Sequence, residues 1–483
     1  MPPRKQPQLL FDIAVKATIV TINTACHNIF DECHEYEYPS CQQHILELRN
    51  YLFSLLPARL FDVLCAQRRF HALHADPRIQ LSIMAHPNIT CFLKSDMDNS
   101  IPHYFWIDHL PNLTRLRVLD LKLICTDEIL ETIGQHCVNL EEVNAVSRVD
   151  LRKSPFNASV LIRNVSDAGL NHLLNLKHLR ILAIDPPRNE RLSVRVGRCI
   201  SQAGIRRIVS QLPALEELRV ESCDIGSTLV AGDHEYGPLT LKKINCHFVY
   251  LDSVQKLLTL CPCLRDLSLT HLSEFNKDEI LQQLAQSDVR LNRLDLSFFG
   301  FSDNMQELLK IKGSHITNFS VLETDTSLSF ESILTVGKYC PNIVKFRLIT
   351  QSKLLIVPAN FKSKTGPIFS ELKSLTLGCD NFVIENILVF FLTHAQCLSR
   401  LSVKYQTKIS VNDTLMRLLS RGLLKHLVFL WLDCTLIVSN DVIKNIIDHC
   451  NLLNNFVVSY DCDGTLQSYI KQNNFDLKLD SNY

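Results

Sequence analysis

Glycine is scarce in this chain, which has 14 glycines among its 483 residues. Loops that hold phosphate groups are rich in glycine, so the composition disfavours a nucleotide-binding enzyme. The motifs Gly-x-x-x-x-Gly-Lys-Ser/Thr, Gly-x-Gly-x-x-Gly, Gly-x-Ser-x-Gly and His-Glu-x-x-His are also missing from the sequence. We therefore expect a protein without enzymatic activity and without a cofactor. An enzyme within the first hundred residues is the alternative, and no motif supports it.

The sequence also lacks an excess of either charge and any long apolar run. Lys plus Arg and Asp plus Glu both number 50, so the chain has no overall attraction for nucleic acid or for an acidic membrane. No run of 18 apolar residues occurs, and Asp12 and Lys16 interrupt the apolar N-terminal segment. We expect neither a signal peptide nor a membrane span, and no nucleic-acid partner.

Leucine recurs at regular intervals. The pattern Leu-x-x-Leu-x-Leu, with apolar replacements, occurs 13 times. The matches begin at Leu116, Leu140, Leu179, Leu215, Leu241, Leu264, Leu291, Ile316, Ile343, Leu372, Leu398, Leu427 and Leu453. Ten of the twelve spacings between successive matches lie between 23 and 29 residues, which is the range of leucine-rich repeats. The two longer spacings, 39 and 36 residues, predict insertions near residues 150–165 and 186–200.

Each match predicts a short strand with one buried face, because apolar residues alternate along it. Between the matches, apolar residues three and four apart predict helices, as at Ile129, Leu130, Ile133 and Cys137. One strand–helix unit cannot bury its apolar side alone, so we expect the units to stack. The predicted fold is an α/β leucine-rich-repeat solenoid of about 13 strand–helix repeats, with parallel strands on the concave face and a small α-helical N-terminal region.

The sequence predicts three regions. Residues 1–100 lack the repeat and form the helical N-terminal region, with helices expected at 8–25, 42–55 and 59–69. Residues 101–463 form the solenoid. Residues 464–483 form a C-terminal cap and tail.

Four cysteines occupy one position of the repeat, three residues before its first leucine or isoleucine: Cys137, Cys261, Cys340 and Cys450. Another repeat has Leu212 in that position, so we expect the position to be apolar and buried. Free thiols in a core indicate a reducing compartment. The predicted location is therefore cytoplasmic or nuclear.

The segments CVNLEEVNAV, CPCLRDLSLT, CPNIVKFRLI and CNLLNNFVVS begin at these four cysteines and resemble the cysteine-containing leucine-rich repeats. The resemblance covers about residues 110–460. Such repeats are common in substrate receptors of cullin-RING ubiquitin ligases, of the F-box or the elongin/cullin-box type, where they hold the target protein. The resemblance implies a non-catalytic substrate-recognition subunit. A protein-interaction scaffold without a ligase role is the alternative.

Two segments of the N-terminal region resemble adaptor-docking boxes. Leu10 and Ala14 in LFDIAVKATI match the leucine and the small residue of an elongin-binding box, in which a cysteine usually stands at the position of Ala14. Leu56, Pro57 and Leu60 in LPARLFDVL match the start of a cullin-contacting box and also the Leu-Pro-x-x-Leu opening of an F-box. The later F-box pattern Val-Cys-x-x-Trp is not found. The resemblance implies docking of an adaptor or a cullin, and the alternative is that these helices only cap the repeats.

Residues that flank and separate the last two leucines of a match face outward on the predicted concave surface. In the early repeats these residues form a mostly acidic strip: Asp185, Glu217, Arg219 and Glu221. In the later repeats they are cations and aromatics, which are frequent in protein-binding hot spots. The predicted target-binding residues are Lys345, Arg347, Arg400, Lys404, Phe429 and Trp431. The alternative is that the C-terminal residues 465–473 and the tail cover Trp431.

A group of metal-ligand residue types lies near the N-terminus: Cys26, His27, Cys33, His34 and Cys41. Their spacing differs from the Cys-x-x-Cys of zinc fingers. Cysteine and histidine on a helix and its following loop are more often structural. We therefore predict no metal site.

Overall fold

The computed structural model describes residues 10–32, 42–66, 78, 82–83, 85–92, 103–122, 124–146, 165–185, 200–220, 225–230, 237–247, 250–271, 276–323, 328–350, 368–379, 384–404, 409–433, 436–458, 465–473 and 477–481. The chain divides into two compact units, Gln8–Lys243 and Ile244–Tyr483. The predicted region boundaries, between residues 100 and 101 and between residues 463 and 464, stay a prediction, because the two units divide at another position, between residues 243 and 244.

The first unit joins the N-terminal helices to the first repeats. Its described helices are α1 (Leu10–Glu32), α2 (Gln42–Leu55), α3 (Ala58–Ala66), α4 (His103–His109), α5 (Asp127–His136), α6 (Asp167–His172), α7 (Gln202–Gln211) and α8 (Ile225–Val230). Its strands are β1 (Cys91–Phe92), β2 (Val118–Asp120), β3 (Glu142–Asn144), β4 (Ile181–Ile184) and β5 (Glu217–Val220), and β6 (Lys243–His247) begins at its last residue. Strands β1 to β5 pair in parallel in chain order.

The second unit continues the same alternation of strand and helix. Its described helices are α9 (Leu251–Leu260), α10 (Lys277–Gln286), α11 (Asp303–Lys312), α12 (Phe330–Tyr339), α13 (Ile384–His394), α14 (Asn412–Ser420), α15 (Asn440–His449) and α16 (Thr465–Gln472). Its main strands are β7 (Asp266–Thr270), β8 (Arg293–Ser297), β9 (Asn318–Glu323), β10 (Lys345–Thr350), β11 (Ser374–Cys379), β12 (Arg400–Lys404), β14 (Phe429–Leu432), β16 (Asn455–Val458) and β17 (Lys478–Ser481). Each pairs in parallel with the next. Two short strands, β13 (Ile409–Ser410) and β15 (Leu436–Ile437), pair separately.

Parallel strands in chain order that alternate with helices form the architecture of a leucine-rich-repeat solenoid, and each unit has it. The residues 351–367 between β10 and β11 lie outside the described part of the chain. All 13 strands that the repeat predicts are present. Their central apolar residues align across neighbouring strands, as Phe319, Phe346 and Leu375 do, and these residues are buried. The sequence pattern did not predict β1 or β17, which pair with the outermost predicted strands β2 and β16.

The helices bury the predicted apolar stripes. On α5, Ile129, Leu130 and Ile133 are buried, and on α15 the same holds for Val442, Ile443, Ile446 and Ile447. Helix α1 extends seven residues beyond the predicted end at residue 25, because Cys26 and Ile29 continue its buried stripe. No helix in the described part of the chain combines the length and the apolar character that a membrane crossing needs.

The repeat-position thiols are free and buried, as the sequence predicts, at Cys137, Cys261, Cys340 and Cys450. Burial raises the pKa of Cys137, Cys261 and Cys340 to about 12. It raises the pKa of Cys450 to about 11. These thiols therefore stay protonated at neutral pH and act as small apolar side chains, not as nucleophiles.

Carboxylates link successive helices of the first unit. Asp167, at the start of α6, accepts hydrogen bonds from the backbone N–H of Ser201 at 2.8 Å and from its hydroxyl at 2.6 Å. Asp127, at the start of α5, makes the same two contacts with Ser166. Gly204 allows the first of these approaches, because a Cβ there would lie 2.0 Å from Asp167 Oδ1. Each pair of hydrogen bonds holds one repeat to the next.

Asp167→Ala is expected to lower the free energy of unfolding by about 2–3 kcal/mol, because Ser201 would lose two charge-assisted hydrogen bonds. Urea denaturation measures this change. The matched control is Asp303→Ala, since Asp303 also begins a helix but is exposed. The control is expected to lose no more than about 0.5 kcal/mol. Equal losses for the two variants would contradict a linking role for Asp167.

Candidate functional site

The outward face of the first unit carries charges that pair with one another. Arg219 on β5 reaches Glu142 on β3 at 2.8 Å and also contacts Glu217 at 2.9 Å. Lys243 reaches Glu217 at 2.6 Å. Burial acts to raise the pKa of Glu217, but hydrogen bonds from Arg219 and Lys243 outweigh it and lower that pKa. Glu217 of the predicted acidic strip is therefore neutralised by the neighbouring cations Arg219 and Lys243.

The prediction that Asp185 faces outward is wrong, because its side chain is only 3% exposed. Ala183 on β4, two residues before Asp185, is also buried. The reason is that the ion pair between Arg219 on β5 and Glu142 on β3 crosses over β4, which lies between those two strands. Burial, and then the nearby Asp185 carboxylate, raises the pKa of Cys125. Glu221, the remaining member of the predicted strip, lies outside the described residues.

The outward face of the second unit differs at β10 and β12. Lys345 and Arg347 on β10 and Arg400 on β12 are exposed, and Lys404 on β12 is partly exposed. Within the described part of the chain, none of these four cations lies within ion-pair distance of a carboxylate. By contrast, Arg293 on β8 is paired with Asp295 at 2.7 Å. The positive charge of β10 and β12 is therefore not neutralised by any carboxylate among the described residues.

Two aromatic rings on β14 lie against the β12 cations. The guanidinium carbon of Arg400 is 4.5 Å from the centroid of the Phe429 ring, and Nζ of Lys404 is 4.6 Å from the centroid of the Trp431 ring. The strand register pairs Arg400 with Phe429 and Ser402 with Trp431, so Lys404 reaches its ring diagonally. A cation–π contact holds a cation in place and leaves its net charge intact.

Trp431 is partly exposed on this face, as strand alternation predicts. The described C-terminal elements pack elsewhere. Tyr469 on α16 donates a hydrogen bond to Asp448 on α15 at 2.6 Å, which places α16 beside the preceding helix. Strand β17 extends the sheet beyond β16. Neither described element covers the Trp431 ring.

Between the cations of β10 and the rings of β14, strands β11 and β12 carry small hydroxyl residues in outward positions beside Arg400 and Lys404. Ser374 and Thr376 on β11 and Ser402 on β12 are partly exposed. The register places Ser374 between Lys345 and Arg400. We call this surface the cationic trough, with Ser374, Thr376 and Ser402 as its floor and Lys345, Arg347, Arg400 and Lys404 as its rim. The three floor residues were not among the predicted site residues, although they occupy outward positions of the same repeats.

The N-terminal boxes fall on two helices with different surroundings. On α1, Val15, Ile19 and Ile22 are buried, whereas Ala14 lies on the exposed side. Leu10 begins α1, and its side chain lies outside the described residues. The exposed side also carries Ile13 and Val20, Ala17 and three threonines.

The exposed side of α1 is largely apolar, and it also carries the charged Lys16 one turn from both Ile13 and Val20. Ile13 is 49% exposed and Val20 is 60% exposed. The hydroxyls of Thr18, Thr21 and Thr24 donate to backbone carbonyls four residues earlier on the same helix. Their hydrogen-bonding capacity is therefore used internally, and their methyl groups remain to contact a partner. The three- and four-residue spacing of this apolar set was readable in the sequence.

The second box lies on α3, which is fastened to the first strand. Leu56 and Leu60 are partly exposed and Pro57 is exposed. Phe61 and Leu64 are buried. Asp62 accepts hydrogen bonds from the Thr90 backbone and hydroxyl, both at 2.8 Å, which joins α3 to the residue before β1. This helix therefore caps the repeats and also leaves part of its box accessible.

The N-terminal cysteine and histidine set is not gathered into one described site. Cys26 is buried, His27 is exposed, and Cys33, His34 and Cys41 lie outside the described residues. Among the residues that the structure describes, no group of three or more His, Cys, Asp or Glu side chains is arranged to hold a metal ion. Burial raises the pKa of Cys26 to about 12, which fits a core thiol.

Comparison with known proteins gives likeness in fold only. No protein-family model matches the chain, and no curated protein matches it. A chain from the crystal structure of the yeast Rad7–Elc1 complex is similar over 98% of this chain and 98% of its own length, at 12% identity and a TM-score of 0.44. The leucine-rich-repeat-containing protein LegL7 from Legionella pneumophila is similar over 62% of this chain and 87% of its own length, at 12% identity and a TM-score of 0.32. Similarity at this level supports no functional argument.

Proposed function

We propose that this chain is a substrate-recognition subunit of a cullin-RING ubiquitin ligase. It holds a target protein on the outward face of β10 to β14 and docks an adaptor or cullin through its N-terminal helices. It contributes binding surfaces and no catalytic residue, cofactor or metal.

The observation that carries the target-binding role is the contrast between the two outward faces. In the first unit, Arg219 and Lys243 are neutralised by carboxylates of neighbouring strands. On β10 and β12, the cations have no such partner among the described residues, and two aromatic rings stand beside them. Unpaired cations beside half-buried Trp and Phe are the composition of a protein-binding hot spot.

The adaptor-docking role rests on α1. An exposed helix side that carries Ile13 and Val20 beside alanines and threonines suits burial against another apolar surface, with the Lys16 ammonium at its edge. Ala14 keeps the centre of that side small, so a partner helix or loop can approach closely. Because α1 buries its opposite side, a partner would not have to unfold it.

Ile13→Asp combined with Val20→Asp is expected to abolish co-purification with elongin or cullin partners, because each substitution places a charge in the contact without emptying a core position. The melting temperature should stay unchanged. Leu60→Asp tests the second box in the same assay. The matched control is Asn50→Asp, since Asn50 is exposed on α2 and the substitution adds a charge outside the apolar side of α1, and this variant should bind normally.

A wild-type chain that retains no adaptor would contradict the ligase role. A protein-interaction scaffold is then the function, and one observation already favours it. The hydrogen bonds from Thr90 to Asp62 give α3 a structural task as a cap that needs no adaptor.

A further inference from the structure

The floor of the cationic trough consists of hydroxyls that have no hydrogen-bond partner among the residues that the structure describes. In the part of the chain that the structure describes, the side chains of Ser374, Thr376 and Ser402 make no hydrogen bond. The neighbouring Ser399, by contrast, donates to the Lys373 carbonyl at 3.3 Å. Three free hydroxyls between four cations leave a surface that offers hydrogen-bond donors and positive charge together.

The cations lie in rows set by the strand register. Lys345, Ser374 and Arg400 share the first row, Arg347, Thr376 and Ser402 the second, and Lys404 the third. Successive rows are two residues apart along the strands, which is about 6.6 Å. The first two rows have cations of their own, and Lys404 leans back from the third row to the Trp431 ring, which pairs with Ser402 of the second row.

We propose that the cationic trough binds an extended acidic segment of the target protein, with carboxylates at alternate positions, lying along β11. In an extended segment, alternate side chains point the same way and are also about 6.6 Å apart, so two successive downward carboxylates lie over the first two rows, where the cationic groups are gathered. The Ser374 and Thr376 hydroxyls donate to the same carboxylates. This inference rests on the proposed target-binding role and specifies its chemistry.

A protein segment fits this surface better than single-stranded nucleic acid does. Nucleic acid on such a surface stacks its bases on free aromatic faces. Here Arg400 lies over the Phe429 ring and Lys404 over the Trp431 ring. Each ring therefore has one face occupied by a cation, whereas the charges of those cations remain available to carboxylates.

The test uses the full chain and two fluorescein-labelled peptides of equal composition, Glu-Thr-Glu-Thr-Glu-Thr-Glu and Glu-Glu-Thr-Thr-Thr-Glu-Glu. Threonine favours the extended conformation in both. Fluorescence anisotropy should give tighter binding of the alternating peptide, by about tenfold, because only that peptide places carboxylates over both cationic rows at once. Binding should weaken at higher salt.

Arg347→Glu is expected to weaken binding of the alternating peptide about tenfold or more, since one charge-assisted contact becomes a repulsion. The matched control is Arg293→Glu, because Arg293 faces the same side but is already paired with Asp295. The control should bind the peptide within about twofold of wild type.

Three outcomes would overturn the inference. They are no binding of either peptide, equal binding of both peptides, or tighter binding of an oligothymidine single strand than of the alternating peptide. The proposed function fails separately, through loss of adaptor co-purification or through a Trp431 variant that keeps its target. A negative peptide result alone therefore removes the acidic-segment chemistry and leaves the receptor role standing.

Discussion

Trp431→Ala is expected to weaken binding of the target protein about 30-fold, or ~2 kcal/mol, with little change in melting temperature. The ring is partly exposed and holds Lys404 at 4.6 Å, so its loss removes a large contact surface and also frees the cation. No core position is emptied, because the neighbours Leu430 and Leu432 fill the buried side of β14. Binding is thus affected more than folding.

The measurement pairs thermal denaturation with titration of the partner that the wild-type chain retains. Trp431→Phe is the conservative variant and should recover part of the affinity, since a smaller ring still accepts the Lys404 contact. A loss of about 3–5 kcal/mol in unfolding free energy for Trp431→Ala, without a specific loss of binding, would mean instead that the ring is core.

Trp106→Ala is expected to lower the free energy of unfolding of the first unit by about 3–5 kcal/mol. Trp106, the other tryptophan of the chain, is 1% exposed on α4 and packs edge-on against Phe92 of β1, with ring centroids 5.6 Å apart. Its removal empties a large volume beside the first strand. Urea denaturation followed by circular dichroism measures the effect.

Trp106→Phe separates packing from hydrogen bonding at the same position. The indole N–H of Trp106 is buried and has no hydrogen-bond partner among the described residues. Phenylalanine keeps an aromatic contact with Phe92 and removes that unsatisfied donor, whose burial alone costs about 1–3 kcal/mol. We expect this variant to lose much less stability than the alanine variant. Equal losses would show that the indole nitrogen has a partner.

The fold was predictable because the repeat is local. Alternation of apolar residues assigns each side chain of a short strand to one face. Because the pattern occurs 13 times in register, few other strand arrangements would bury the same residues. Strands β1 and β17 were missed because each borders a predicted strand without carrying the repeat. The predicted site residues on β10, β12 and β14 do lie on one face, as the spacing indicates. Whether they bind a target stays a prediction.

The sequence by itself determined the facing of most strand residues, and therefore the cysteine core and the outward position of Trp431, whereas the burial of Asp185 was visible only in the tertiary structure. Only the tertiary structure decided which outward side chains meet. Arg219 pairs with Glu142, 77 residues away, whereas Arg400 meets Phe429 and no described carboxylate. The physical reason is that the side of a strand on which a residue lies depends on alternation along the chain. Which side chains pair depends on strand register and on how far each side chain reaches across neighbouring strands. The sequence supplies the carboxylates of β3 and β5 and the cations of β10 and β12, and strand register decides that only the former meet an opposite charge among the described residues.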